Sequence, residues 1–279
     1  MTTTTAAADV AAYCRQLAEQ AAAAGRSLSA LPGSQRAAAL SAVAAQLRQR
    51  AGSIIDANAA DLADGRKNGL SAAMLDRLKL DESRIEKMAR SVEQIAEQTD
   101  PVGQIIEGYV RPNGLRLAKV RVPIGVVLII FESRPNVTSD AAALCIKSGN
   151  AVVLRGGKEA MHSNTAIAEC VRAGVEEAGL PGDTVQLVET TDRAPVGELL
   201  RMEGLIDLAI PRGGESLIRA VVEQAHIPVI KHYTGLCSVY VDEHCDPQMA
   251  IDICVNAKTQ RPGVCNAAET ILIHRSAAE

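Results

Sequence analysis

The sequence predicts an α/β fold: a helical N-terminal region, a parallel sheet covered on both faces, and the start of a second α/β unit. Before residue 100, apolar residues recur at helical spacing. After Pro123, short wholly apolar runs alternate with helical stretches, and beyond Gly235 the alternation starts again.

The helical region spans residues 6–99. Val10, Tyr13 and Leu17 mark one apolar stripe, Leu40, Val43 and Leu47 a second, and Ile85, Met88, Val92 and Ile95 a third. Pro32-Gly33 stops one helix, and Ser34 is placed to cap the next. These stripes read as packing faces without chemistry. A hairpin arm over 104–122 follows, with strand-like runs Ile105 to Val110 and Leu115 to Val122 flanking Arg111-Pro112-Asn113-Gly114. Lys119 and Arg121 alternate with Ala118, Val120 and Val122, so one face of the hairpin is expected to meet solvent. Such an arm serves as an oligomer contact or stays a plain surface hairpin.

The parallel α/β part covers 123–233. Its strands are Gly125 to Phe131, Ala151 to Leu154, Val185 to Val188, Asp207 to Ile210 and Pro228 to Ile230. Helical stretches lie around 138–148, 163–179, 195–202 and 215–226. This is a Rossmann-like pattern, and such sheets bind ligands outside the carboxyl ends of their strands. Residues 1–233 therefore read as a nucleotide-binding domain. Residues 234–279 read as the N-terminal part of a second domain, with a strand at Ser238–Val241, a helix from Pro247 to Lys258 and a strand from Thr270 to Ile273.

Composition narrows the function classes. Apolar residues make up 47% of the 279, but aromatics only 2%, with no Trp and one Phe, so stacking platforms for single-stranded nucleic acid are not expected. A net charge of −4 argues equally against a phosphate-backbone binder. The N-terminus lacks a basic start and Asp9 interrupts its Ala-rich stretch, unlike a secretory signal. The apolar run Val126–Phe131 suits a buried strand and not a membrane span. Seven cysteines, odd in number, scattered and without CxxC pairs, read as reduced thiols of a cytoplasmic protein, with no zinc site.

Four segments hold candidate chemistry. In Phe131-Glu-Ser-Arg-Pro-Asn136, Pro135 forces Arg134 out of helical geometry, and Asn136 sits where the next helix starts. Asn136 is either a helix cap or an amide donor for a developing oxyanion. In Leu154-Arg-Gly-Gly-Lys158, Gly156 and Gly157 let backbone approach a ligand. Arg155 and Lys158 add positive charge suited to the ribose and 2′-phosphate of NADP. In Ile210-Pro-Arg-Gly-Gly-Glu-Ser216, the amides of Gly213, Gly214, Glu215 and Ser216 can face a pyrophosphate at a helix N-terminus, although GxGxxG is missing. In Lys258-Thr-Gln-Arg-Pro-Gly-Val-Cys-Asn266, the turn at Pro262-Gly263 presents Cys265, and nearby Lys258 and Arg261 favour its thiolate. The other six cysteines read as small buried hydrophobes.

Taken together, Val122-Pro-Ile-Gly-Val126, Phe131-Glu-Ser-Arg-Pro-Asn-Val137, Ser148-Gly-Asn-Ala-Val-Val-Leu-Arg-Gly-Gly157 and Gln260-Arg-Pro-Gly-Val-Cys-Asn266 resemble the γ-glutamyl phosphate reductases of the aldehyde dehydrogenase superfamily, from about Ala6 to the end of the chain. The resemblance implies an aldehyde-dehydrogenase-like fold and NADPH-dependent reduction of L-glutamate 5-phosphate to the semialdehyde in proline biosynthesis. It makes Cys265 the nucleophile and Asn136 part of an oxyanion hole. Arg155 to Lys158 and Gly213 to Ser216 would hold NADP, and Lys258 or Arg261 would help phosphate leave. It leads us to expect a homo-oligomer formed through the 104–122 hairpin.

Hydrolytic aldehyde dehydrogenases carry a water-activating Glu in an E-L-G-G motif; the similar place here reads His232-Tyr-Thr-Gly235, without a carboxylate. That departure favours acyl transfer to phosphate over a related NAD(P)-dependent aldehyde dehydrogenase. Members of the resembled family continue past the position of Glu279, so the chain reads as C-terminally truncated. A catalytically impaired nucleotide-binding fragment stays a rival reading.

Overall fold

The apolar stripes of the first hundred residues fold as helices: α1 (Thr2–Ser29), α2 (Gly33–Gln49), α3 (Ala51–Lys67), α4 (Ala72–Leu78) and α5 (Glu82–Glu97). Leu40, Val43 and Leu47 are buried, as are Ile85, Met88, Val92 and Ile95. The computed structural model describes residues 2–231, 233, 235–262 and 264–278. It divides into two compact units, Met1–Lys231 and His232–Glu279.

One helix start differs from expectation. Ser34 caps nothing: α2 begins at Gly33, with Pro32 at the cap position and no side chain bonded there. Arg36 holds this turn instead. Its guanidinium is 1% exposed, donates to the Leu31 carbonyl, and grips both oxygens of Asp100 at 3.0 and 2.8 Å. A Cβ at Gly33 would stand 1.8 Å from an Asp100 oxygen, so the carboxylate occupies the space in which a cap would form.

Strands β1 (Ile105–Val110) and β2 (Arg116–Val120) pair antiparallel as an arm. Every residue of both strands is exposed, so the hairpin has two open faces and not the single one expected from its alternation.

The parallel sheet follows as β3 (Val126–Phe131), α6 (Asn136–Lys147), β4 (Ala151–Arg155), α7 (Met161–Glu177), β5 (Val185–Leu187), α8 (Ala194–Leu199), β6 (Leu208–Arg212) and α9 (Glu215–Gln224). Its strand order is β5-β4-β3-β6. The two-residue side-chain period sorts each strand between two cores. Val127, Ile129, Phe131, Val152 and Leu154 pack with α2, α5, α6 and α7. Val126, Leu128, Ile130, Ala151 and Val153 pack with α1, α8 and α9. The run Pro228 to Ile230 makes only a single bridge, from Val229 to Ala209; Pro228 has no N–H to extend the ladder.

Two contacts tie the helical region to the sheet layer. A Cβ at Gly174 on α7 would meet the backbone of Val43 on α2 at 2.5 Å, so the two helices touch backbone to backbone. Asp61 on α3, 3% exposed, accepts from the His162 and Ser163 amides and the Ser163 hydroxyl at 3.1, 2.8 and 2.6 Å. A carboxylate from α3 thus closes the first turn of α7, which has no cap of its own.

In the second unit, β7 (Ser238–Val241) and β8 (Thr270–Ile273) pair parallel around α10 (Pro247–Thr259). Asp246 caps α10 by accepting from the Met249 amide. No residue of α10 is buried. Cys14, Cys145 and Cys170 are buried as expected, but Cys237, Cys245 and Cys254 are half-exposed, because they lie in this thin layer. Among the described residues, no helix is long and apolar enough to cross a membrane.

Candidate functional site

In the β5-β4-β3-β6 order, the chain leaves β3 toward β4 on one side, while β6 lies on the other. The loops after β3 and β6 lead to helices packed in different cores, α6 and α9, and meet at the carboxyl ends of these strands, the place where such sheets bind ligands. The loop after β3 touches both neighbours. The Glu132 amide donates to the Arg212 carbonyl at 3.2 Å, and the Glu132 carboxylate accepts from the Gly214 amide at 3.1 Å. On the other side, the Ser133 hydroxyl donates to Glu159 at 3.2 Å.

Each glycine of the β4 turn is required by a close approach. A Cβ at Gly156 would stand 2.1 Å from the Asn164 amide nitrogen and 3.1 Å from the Phe131 ring. At Gly157 it would stand 2.7 Å from the Glu159 carboxylate and 3.2 Å from the Ser133 amide. Gly213 is likewise closed, by Glu132 at 2.6 Å. Gly214 is the N-cap of α9, and Glu215 and Ser216 form its first turn. The Gly214 amide, expected to meet a pyrophosphate, here carries the Glu132 carboxylate.

Arg155 and Lys158 divide their work. The Arg155 guanidinium is half-buried and donates to the carbonyls of Gly156 and Asp192 at 2.8 and 3.0 Å. Burial, helped by the nearby Arg193 cation, lowers its pKa. It ties the β4 turn to the loop after β5. Lys158 is exposed at the tip of the same turn.

Asn136 is the first residue of α6. Its side chain does not cap the helix: its amide nitrogen donates to Asp140 one turn on, at 2.9 Å. Burial raises the pKa of the Asp140 carboxyl, while hydrogen bonds from Asn136 and Ser91 pull it back down.

Cys265 is exposed in the second unit. Its backbone is held by the facing segment: the Cys237 thiol lies 3.6 Å from the Cys265 carbonyl, and a Cβ at Gly235 would lie 2.5 Å from that oxygen. Gly235, the last residue of the segment in which the water-activating Glu is missing, lies beside the Cys265 carbonyl. His232 and Thr234, and Gly263 of the presenting turn, lie outside the described residues. Lys258 faces Glu269 at 3.7 Å, both half-exposed, and Arg261 is exposed, its carbonyl accepting from the Val264 amide. Asn136 belongs to the first unit and Cys265 to the second.

The sequence reading missed Glu132, Ser133, Asp140 and Glu159. Asp140 follows Asn136 at the i, i+4 spacing of a helix face, a signal present in the sequence. Glu132 and Ser133 stand inside a motif where Pro135 and Asn136 drew the interpretation. Their partners, Gly214 and Glu159, are distant in sequence, and only the sheet order brings them near.

Comparison with known proteins identifies the family. The aldehyde dehydrogenase family pattern matches residues 1–279. A γ-glutamyl phosphate reductase of Geobacter sp. (strain M21) is 53% identical over 97% of this chain and 65% of its own length. One from Rhodopirellula baltica is also 53% identical over 97% of the chain and 62% of its own length. The crystal structure of γ-glutamyl phosphate reductase from Thermotoga maritima superposes with a TM-score of 0.87 at 40% identity, covering 94% of this chain and 63% of that one. That from Saccharomyces cerevisiae gives 0.73 at 37% identity, covering 95% and 67%. The chain thus spans less than two thirds of the length of these bacterial relatives. The expected fold is the observed one, and the chain belongs to the aldehyde dehydrogenase family.

Proposed function

We propose that this chain carries the cofactor site and the nucleophile of an NADPH-dependent γ-glutamyl phosphate reductase. The reaction converts L-glutamate 5-phosphate to L-glutamate 5-semialdehyde and phosphate in proline biosynthesis. The observation that carries the reading is 53% identity to reductases of that name over a span that holds both Asn136 and Cys265. Residues 1–233 serve as the nucleotide-binding domain and 234–279 as the start of the catalytic domain. The enzyme is cytoplasmic, acts on a small molecule, and assembles through the apolar 104–122 hairpin, whose Ile105, Tyr109, Leu117 and Val120 are exposed.

The Gly214 amide already accommodates an anion in the form of the Glu132 carboxylate, which supports a pyrophosphate at this helix start. The Gly214 amide would hold the pyrophosphate in place of the Glu132 carboxylate. Lys158 and Arg155 meet the 2′-phosphate. When bound, NADPH supplies the hydride that reduces the acyl group.

The Cys265 thiolate attacks the carbonyl carbon of the acyl phosphate, and the Asn136 amide with the Cys265 N–H receives the charge that develops on oxygen. Phosphate departs with the C–O bond electrons, its charge met by Lys258 and Arg261. After hydride transfer the thiohemiacetal releases aldehyde and regenerates the thiolate. No carboxylate occupies the described part of the segment beside Cys265, so the thioester is spared hydrolysis.

The test is the reverse reaction, with semialdehyde, phosphate and NADP. Phosphate-dependent NADPH formation that C265A abolishes, with NADP binding retained, supports the reading. Phosphate-independent turnover indicates a simple aldehyde dehydrogenase, and silence a binding fragment. Replacing Arg155 and Lys158 together by Ala lowers NADP affinity about tenfold or more while NAD affinity changes little, measured by calorimetry. Equal losses for the two cofactors would remove these side chains from 2′-phosphate recognition.

A further inference from the structure

An oxyanion-stabilising amide works only if its N–H, and not its carbonyl oxygen, faces the developing charge. The two ends of an Asn side chain are nearly the same shape, and rotation about its last bond exchanges them at little cost. At the start of α6, Asn136 is the group in question, and its amide is not left to choose. Asp140, one turn further along the same helix face, takes the Asn136 nitrogen at 2.9 Å.

A carboxylate only accepts, so the reversed amide would set oxygen against oxygen. The –NH2 group has two hydrogens; with one fixed on Asp140, the other has a set direction away from it. We propose that Asp140 is the positioning residue of the oxyanion hole, holding Asn136 with its donor end toward the substrate oxygen. The inference rests on the assignment of Asn136 above.

Other features of Asp140 fit this role better than a stabilising one. Its Oδ1 is buried and makes no hydrogen bond among the described residues. A buried, unpartnered carboxylate oxygen weakens a fold, so the group is not explained by stability. Burial raises the carboxyl pKa, the mark of a charge kept at some expense. The oxygen that is partnered is the one facing Asn136.

The test is a double-mutant cycle on turnover, with N136A, D140N and the double variant. Loss of a donor lowers kcat by about 100- to 1,000-fold. Loss of its orientation is expected to lower kcat by roughly 10- to 100-fold with KM and NADP affinity near normal. Asn at position 140 keeps the size but can either accept or donate, so it no longer selects one amide orientation. In the N136A background D140N should then have no further effect. D140E, which restores an acceptor, should recover part of the loss.

A second readout needs no turnover. In the 15N-labelled chain, one Asn136 side-chain amide proton should exchange slowly, and lose that protection in D140A or, should D140A fail to fold, in D140N. A D140N loss that adds in full to that of N136A, a loss in KM alone, or amide exchange unchanged in the variants would each overturn the inference. Normal D140N turnover beside an impaired N136A sinks the positioning role alone. Normal turnover in N136A removes the oxyanion assignment, and the positioning role with it.

Discussion

A methyl group at position 235 would have to enter the space of the Cys265 carbonyl, 2.5 Å away. That oxygen is backbone and cannot swing aside, so Gly235→Ala moves Cys265, the proposed nucleophile, or the backbone at position 235. We expect kcat to fall by about 100-fold, the effect of a displacement near 1 Å, with NADP affinity unchanged because the cofactor loops lie in the other unit. Normal kcat in G235A would show that the Cys265 turn tolerates the shift. The thiols make a second case. Burial pushes Cys14 and Cys170 up to about 11 and Cys145 up to about 12, so all three stay protonated at pH 8. Cys265 is exposed. Mass spectrometry after brief iodoacetamide treatment at pH 8 should find Cys265 labelled first and those three labelled only after denaturation. At this scale the sequence set Cys265 apart as the presented thiol, and it is the exposed one of the seven. The sequence was silent on contacts set by the sheet order: nothing in the letters says that Glu132 lies on the Gly214 amide.

Among the elements, the strands were legible because a buried parallel strand is a short apolar run bounded by turns. Ser238–Val241 and Thr270–Ile273 fall where the pattern put them. The start of α2 was not legible, since the sequence offers Ser34 while the fold uses Arg36 and Asp100, far apart in the chain. That substitution of a long-range ion pair for a local cap has a measurable consequence. Asp100→Ala leaves the Arg36 guanidinium, 1% exposed, without its carboxylate. Breaking such a pair costs about 3 kcal/mol, at the lower end of the range because Asp100 is partly exposed. Urea unfolding followed by circular dichroism measures it; a change under about 0.5 kcal/mol would mean that Leu31 and water suffice for Arg36. Substituting Ser34, by contrast, should leave stability nearly unchanged. The hairpin shows the opposite limit: its position was evident, but alternation alone could not say that both of its faces are open.

At the scale of the whole chain, the helical N-terminal region is bonded directly into the sheet layer. Asp61 reaches from α3 to close the first turn of α7, and α7 starts just after the turn that carries Gly156, Gly157 and Lys158. With NADP on this turn as proposed, melting α3 and emptying the turn become linked equilibria. A ligand that binds only the ordered turn raises the free energy of opening by RT ln(1 + [L]/Kd), about 2.7 kcal/mol at a hundredfold excess over Kd. Saturating NADP should thus slow amide exchange not only at the turn but along α3, in residues that never meet the nucleotide. Asp61→Ala should uncouple the two, so that NADP still protects 156–160 while α3 exchanges at its unliganded rate. The helices ahead of the sheet then act as a sensor of occupancy, and a proteolytic nick in α3 becomes a gauge of how much cofactor the protein holds.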